Sequence, residues 1–378
     1  MSCPKAELCG GCVFQNKDDK VYRQEKFSKV KTLLSSLAPA LPWGEPVFIT
    51  DGTRRRASMA FSYNNKKITL GFNQRGSNII VDIDNCLLLT HRLNSILPDI
   101  RNLLQAICAI PFQVKNGKKI IYKTISVGDV WLCDCTNGID ITLEYDAPLD
   151  LEHRMVICEF INHISNVVRI SHRRKNQDIP EPIVEISKPF IKISPYTVYI
   201  PAGTFLQPSQ EGESALINMV KEYVGECRGK IFDLFCGVGT FSYALAASNP
   251  QAQIVAVDSS SELLQGFSES LKRNQITNIE ILERNLFKYP LDKKELSGAD
   301  VVVFDPPRAG ASAQTKVLAS LDNDKKPKTI VAISCYPPTF VNDAKALISS
   351  GYKLEKINFV DQFIYSNHSE LVAVFTKL

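Results

Sequence analysis

The chain predicts an α/β protein, with a doubly wound sheet in its second half preceded by a smaller α+β domain. Two observations point there. After Ile200, strand-like and helix-like segments alternate; before it, short alternating segments punctuated by turn residues dominate. A third observation concerns chemistry. Two apolar runs, Val301–Phe304 and the one ending at Ser334, stop at proline-bearing turns, Asp305-Pro306-Pro307-Arg308 and Cys335-Tyr336-Pro337. The domains expected are 1–200 and 201–378.

In order along the chain, residues 1–16 form a compact cysteine loop, and Lys20 to Leu37 reads as an amphipathic helix with Phe27, Val30, Leu34 and Leu37 on one stripe. Residues 58–72 resemble a hairpin turning at Asn64-Asn65. Further strands are expected over 119–126, 130–135, 138–144 and 167–170, with one helix over about 91–107. The second half predicts strands at 230–235, 254–258, 279–282, 301–304, 329–334, 353–359 and 371–376. Helices over 239–247, 262–274, 313–321 and 338–349 alternate with them, which implies a mainly parallel sheet covered on both faces. Ligands of such sheets sit beyond the carboxyl ends of the strands.

With 378 residues, 44% hydrophobic and 22% charged, this is the composition of an ordinary globular protein of two or three domains. No apolar run approaches the roughly 20 residues that span a bilayer, and Met1 to Glu7 lacks the apolar core of a secretory signal. A cytoplasmic protein with no membrane partner is expected. The net charge of +4 (44 basic minus 40 acidic residues) says little. Its distribution says more: Arg54-Arg55-Arg56, Lys115 with Lys118-Lys119, and His172-Arg173-Arg174-Lys175 all lie in the first half. Each alone reads as a solvated loop; together they suit a polyanion. Of eleven cysteines, Cys108, Cys133, Cys135, Cys158 and Cys227 sit in apolar or strand-like surroundings and read as small buried hydrophobes.

Asp233-Leu234-Phe235-Cys236-Gly237-Val238-Gly239 is a strand followed by a glycine turn where backbone can approach a ligand. About 20 residues on, Asp258 ends the next strand, where a carboxylate suits a ribose diol or, more simply, caps a helix. Asn285, after the following strand, is placed to bond an adenine edge. The turn lacks the GxGxxG spacing that cradles phosphates, so S-adenosylmethionine fits better than NAD.

These segments, with the terminal His368-Ser369-Glu370, resemble the RNA uracil-5-methyltransferase family, and the likeness covers almost the whole chain. The resemblance implies a class I, S-adenosylmethionine-dependent methyltransferase domain. Cys3, Cys9, Cys12 and Cys86 are similar to the thiol set of the iron–sulfur 23S ribosomal RNA branch. The chain begins at the cysteine loop, so the resemblance implies the short form without an N-terminal TRAM barrel, acting as a monomer on 23S ribosomal RNA. Spacing alone leaves zinc and a [4Fe–4S] cluster equally open for the four thiols; the resemblance favours the cluster.

The chemistry needs a nucleophile and a base on opposite sides of a flat ring. Cys335 fits the nucleophile, at a strand exit ended by Pro337 and Pro338. Glu370, which position alone would make a solvated charge, becomes the base by resemblance. The resemblance also gives Asp305 a place against cofactor and uracil, Gln207 a reach to both, and Phe235 a stacking position near the cofactor. Thr240 and Tyr336 depart from the family's commoner residues. The alternatives are 5-methyluridine formation in transfer RNA, methylation of an adenine amino group at Asp305-Pro306-Pro307, and a non-catalytic iron–sulfur RNA-binding protein.

Overall fold

The computed structural model describes residues 3–38, 40–117, 119–175, 177 and 179–378. Lys118, a member of one basic cluster, lies outside them. The chain forms two compact units, each discontinuous in sequence. The first takes residues up to Asn16, Thr50–Ile191 and Ile200–Gln210; the second takes Lys17–Ile49, Lys192–Tyr199 and Glu211–Leu378. A single boundary at 200 therefore misassigns the N-terminal helix, Asp19–Leu34. Its buried residues are Tyr22, Lys26, Val30 and Leu34, an i, i+4 stripe, and the last two join the core of the second unit beside Phe340 and Leu347.

The first unit is built on a seven-stranded sheet with the order Glu181–Glu185, Val167–Arg173, Gly138–Glu144, Val127–Cys135, Arg56–Asn64, Lys67–Asn73, Ile80–Asp82. Its pairs are antiparallel except Gly138–Glu144 with Val167–Arg173, which run parallel. A parallel pair needs a crossover, and helix Leu151–His163 lies between the two strands in sequence. The sequence pattern conceals this helix because Leu151 and Met155 are exposed and draw no clean apolar stripe. Asp150 starts it, accepting from the His153 N–H at 3.2 Å. The expected helix over 91–107 appears as a short turn, His91–Ser95, followed by Leu97–Ala109. Lys119–Lys123 is not a strand of the main sheet; it pairs with Phe112–Asn116 as a separate ribbon. Met59, Phe61, Val130, Leu132, Ile141 and Leu143 share one core with the helical Ile100 and Leu104.

The arginine triplet corrects its own sequence reading. Arg55 is buried, and its Nε donates to the Gln207 carbonyl at 3.0 Å; Arg56 donates to the Leu206 carbonyl at 2.7 Å. These guanidiniums hold the backbone of the Gln207 loop. His172 is likewise buried, and Arg173 is paired with Glu144 at 2.6 Å. Cys108, Cys135 and Cys227 are buried as expected, whereas Cys133 and Cys158 are only partly so.

In the second unit, seven strands carry the fold: β1 (Lys230–Leu234), β2 (Gln253–Asp258), β3 (Ile279–Glu283), β4 (Ala299–Phe304), β5 (Thr329–Ser334), β6 (Tyr352–Asp361) and β7 (Glu370–Lys377). Their order is 3-2-1-4-5-7-6, with a short strand, Val47–Phe48, added beside β6. The first five are parallel; β7 runs antiparallel to both β5 and β6. Apolar residues fill β1, β4 and β5 nearly end to end, as a sheet covered on both faces requires. Helices Thr240–Ser248, Ser261–Arg273, Ser312–Ala319 and Pro337–Ser349 alternate with the strands. A further helix, Gln210–Val224, escapes sequence inspection because Gly212 and Glu213 form part of its buried side. Among the described residues no helix is long and apolar enough to cross a membrane.

Candidate active site

The order of strands reverses between β1 and β4, so the carboxyl ends of those strands and of their neighbours open onto one edge of the sheet. Four of the expected site residues follow directly from strand ends there: Phe235 after β1, Asp258 at the end of β2, Asp305 after β4 and Cys335 after β5. Glu370 reaches the same edge because β7 runs the other way. Ser334 is opposite Leu371 in that antiparallel pair, so the next step of the ladder sets Cys335 beside Glu370. Pro337 opens the helix that follows Cys335, where its missing N–H costs nothing.

Electrostatics tie these groups into one cluster. Burial, then Glu370 and Asp305, push the Cys335 thiol up to about 12, opposed by the Arg308 guanidinium. Glu370 is itself buried; burial and then Asp305 hold its carboxyl well above the usual range, while a hydrogen bond from Gln362 pulls the other way. The Glu370 Oε2 atom is buried and makes no hydrogen bond. Burial, then Asp233, push Asp305 up to about 7. Asp233 is also raised to about 7, by burial first and Asp258 as well, against the Ser242 hydroxyl that donates to it at 2.5 Å. The other Asp233 oxygen, Oδ1, is buried and unpaired. A run of carboxylates that raise one another is a receptor for positive charge.

The glycine turn is shaped for close approach. Gly237 adopts φ +56° and Gly239 φ +89°, and even Phe235 stands at φ +62°. A Cβ on Gly239 would meet the Phe267 ring at 2.3 Å, whereas no atom lies within 4 Å of a Cβ built on Gly237, leaving the turn open on that side. Asp258 does not cap the next helix; Ser260 does. The Asp258 carboxylate instead accepts from the Gly237 N–H at 2.9 Å and from the Ser260 N–H at 3.0 Å, so it braces the turn. Asn285 caps its own turn through Oδ1, which accepts from the Phe287 and Lys288 N–H groups. Phe287 brings its ring to 5.4 Å from that of Phe235, forming an aromatic pair beside Asn285. Phe287 is 46% exposed, so the outer face of this pair is open for a flat ring to stack on.

Sequence reasoning missed three members of this site: Phe287, Arg308 and Gln362. Arg308 stood in the quoted turn without a role; it also lies over the Tyr336 ring, 4.7 Å from its centroid. Gln207 is placed in the first unit, on the loop whose carbonyls Arg55 and Arg56 hold.

The four candidate thiols gather in the first unit. Burial, then Cys86, Cys9 and Cys3, push the Cys12 thiol up to about 12, so all four lie within electrostatic reach of one another. None is in a disulfide, and Cys9 Sγ accepts from the Gly11 N–H at 3.4 Å. Among the described residues, however, no three Cys, His, Asp or Glu side chains stand in ready-made coordination geometry.

The family model for tRNA (Uracil-5-)-methyltransferase matches residues 22–377. The chain belongs to that family. Its similarity to curated proteins runs end to end: an uncharacterized RNA methyltransferase of Brucella melitensis biotype 1 is 33% identical over 379 residues, covering 100% of this chain and 84% of its own length. The 23S rRNA (uracil(1939)-C(5))-methyltransferase of Shewanella halifaxensis is 26% identical, covering 99% of this chain and 81% of its own. Among solved structures, the Pyrococcus abyssi tRNA (uracil-54, C5)-methyltransferase in complex with S-adenosyl-L-homocysteine superposes with a TM-score of 0.71 at 22% identity, covering 98% of this chain and 86% of that one. This uracil-5-methyltransferase family member is therefore an enzyme acting on RNA, with a class I methyltransferase fold.

The carboxylate run makes a pH-linked prediction for a cationic methyl donor such as S-adenosylmethionine, whose sulfonium and ammonium are both positive. Asp233 and Asp305 have native values raised to about 7, so the stability they contribute is complete below the ordinary carboxylate range and is lost as pH rises through about 7. A bound cation lowers both values and expels protons. Cofactor affinity is therefore expected to rise between about pH 5 and 7, by up to about tenfold per pH unit for each proton released, and to level off above about 7. Calorimetry in buffers of different ionisation enthalpy checks this; an affinity flat across that window refutes it.

Proposed function

We propose that this enzyme methylates C5 of one uridine in 23S ribosomal RNA through a covalent adduct between Cys335 and C6 of the ring. The observation that carries the reading is the thiol of Cys335 at the end of β5 beside a buried, unpaired carboxylate oxygen of Glu370 at the start of antiparallel β7. S-adenosylmethionine, when bound, supplies an electrophilic methyl group. The Cys335 thiolate adds to C6, and the electron pair released makes C5 nucleophilic towards that methyl. Glu370 then takes the C5 proton, the Sγ–C6 bond breaks, and the ring regains its double bond. A base whose carboxyl sits above its ordinary range is suited to proton transfer near neutral pH. Arg308 favours the thiolate, and to Asp305, whose charge is felt at Cys335, we assign a ring N–H.

For the cofactor, we assign Gly237 and Asp258 to the ribose side of the turn, Phe235 and Phe287 to one purine face, Asn285 to the purine edge through its amide donors, and Asp305 to the positive end. The 23S assignment rests on the likeness to the Shewanella enzyme, which covers 99% of this chain and 81% of that one, and on the four thiols. We infer a cytoplasmic reaction with it. Mass spectrometry of ribosomal RNA from cells lacking the gene is expected to show one missing 5-methyluridine in 23S RNA; loss from transfer RNA alone would move the substrate there.

Cys3, Cys9, Cys12 and Cys86 suit a [4Fe–4S] cluster by their chemistry: four unoxidised thiols in one neighbourhood, with Arg54 close enough for its charge to be felt by Cys86 and Cys12. The group would tie the N-terminal loop to Cys86 and supplies no electron to the methyl transfer. Anaerobic reconstitution with iron and sulfide is expected to give a broad visible absorption that Cys86→Ser removes, with RNA binding weakened more than cofactor binding. Zinc uptake without that absorption would overturn the assignment.

A further inference from the structure

The N-terminal helix does more than cover the sheet. Tyr22 and Lys26 sit one turn apart on its buried stripe and reach the segment between β6 and β7. Lys26 Nζ donates to Asp361 Oδ1 at 2.5 Å and to the Phe363 carbonyl at 2.8 Å. The Tyr22 hydroxyl donates to the other Asp361 oxygen and accepts from the Tyr365 N–H at 2.9 Å. The Lys26 and Asp361 side chains are 3% and 1% exposed. Tyr22 and Tyr365 also pack ring against ring, with centroids 4.9 Å apart. Three points of the segment, at 361, 363 and 365, are therefore pinned to one helical face. Asp361 ends β6, Gln362 follows it, and the segment closes at Glu370, the proposed base, which pairs with Val360 across the ladder.

We propose that Lys26, with Tyr22, is a positioning residue for the base: acting through Asp361, it fixes the backbone that carries Gln362 and Glu370. The inference rests on Glu370 being the base. A buried Lys–Asp pair is poor evidence for stability alone, since hydrophobic residues of similar volume commonly do as well. Here each partner also makes backbone or hydroxyl contacts to the segment that ends at the base.

The test follows the adduct. In single-turnover reactions on ribosomal RNA from cells lacking the gene, Lys26→Met is expected to form the RNA–protein adduct within a few-fold of the native rate. It is expected to resolve the adduct about ten- to a hundredfold more slowly, as a misplaced base would. Lys26→Arg keeps the charge and is expected to restore resolution in part, and Tyr22→Phe to slow it less. Cofactor affinity, measured alongside, is unchanged. Equal slowing of formation and resolution, or no slowing, would make the pair merely structural and overturn the proposal. Should Lys26→Met lose cofactor binding, Tyr22→Phe decides by the same two rates. Glu370→Gln serves as the control. If it accumulates no adduct, the base assignment fails and the clasp with it. If it accumulates adduct while the Lys26 variant resolves normally, the clasp alone fails.

Discussion

Replacing Cys335 by alanine or serine is expected to abolish methyl transfer, by about four orders of magnitude or more, while leaving cofactor binding intact. The reason is chemical. C5 of uracil attacks a methyl sulfonium poorly until a soft nucleophile has added at C6, and among the described residues no other cysteine is grouped with Glu370 and Asp305 in this cluster. Cys236, the nearest thiol in sequence to the cofactor turn, is fully buried, and its acidity is suppressed by burial and by Asp233 and Asp258. It is no substitute. The readout is tritiated methyl incorporation into undermethylated ribosomal RNA, together with calorimetric cofactor binding. Turnover within about tenfold of the native enzyme would remove Cys335 from the reaction.

Glu370→Gln is expected to stop the reaction one step later. Adduct formation proceeds, methyl transfer to C5 proceeds, and release fails, so RNA stays joined to the protein as a band stable to denaturant. Multiple turnover should fall by about 10²- to 10⁴-fold, the range for loss of one positioned base. A second effect has a definite sign. Glu370 is, after burial, the largest influence raising the Cys335 thiol, so removing its charge lowers that thiol from about 12. Alkylation of Cys335 by iodoacetamide at an alkaline pH, where Glu370 is ionised, should therefore be faster in the variant. A variant that releases product normally, or whose thiol reacts more slowly, would refute the role given to Glu370.

What the sequence disclosed, and what it hid, follows from how each residue is placed. Cys335, Asp305 and the glycine turn are legible because each follows its own strand within a few residues, and prolines or glycines mark where that strand stops. Glu370 is different. Its chemistry depends on antiparallel register with β5, some 35 positions away, and only family resemblance pointed to it. Gln362, Arg308 and Phe287 are hidden for the same reason: their partners lie on other strands or turns. The arginine triplet at 54–56 misled because charge in a sequence suggests solvent, while in the fold Arg55 and Arg56 answer backbone carbonyls of a loop 150 residues distant. The helices at 151–163 and 210–224 escaped because exposed Leu151 and Met155 in one, and buried Glu213 in the other, blur the stripe that periodicity relies on. The four thiols read as one set only through family resemblance, and among the described residues no three such side chains stand in ready-made coordination geometry.

The short strand Val47–Phe48 lies parallel to β6, and the helix before it packs against the one at Pro337–Ser349. These two partners of the segment 19–48 are made only after some three hundred intervening residues. The nascent chain must therefore carry that opening segment, apolar stripe included, without its final neighbours for most of synthesis. Catalytic competence arrives late, as a property of the finished polypeptide and not of any fragment emerging before it.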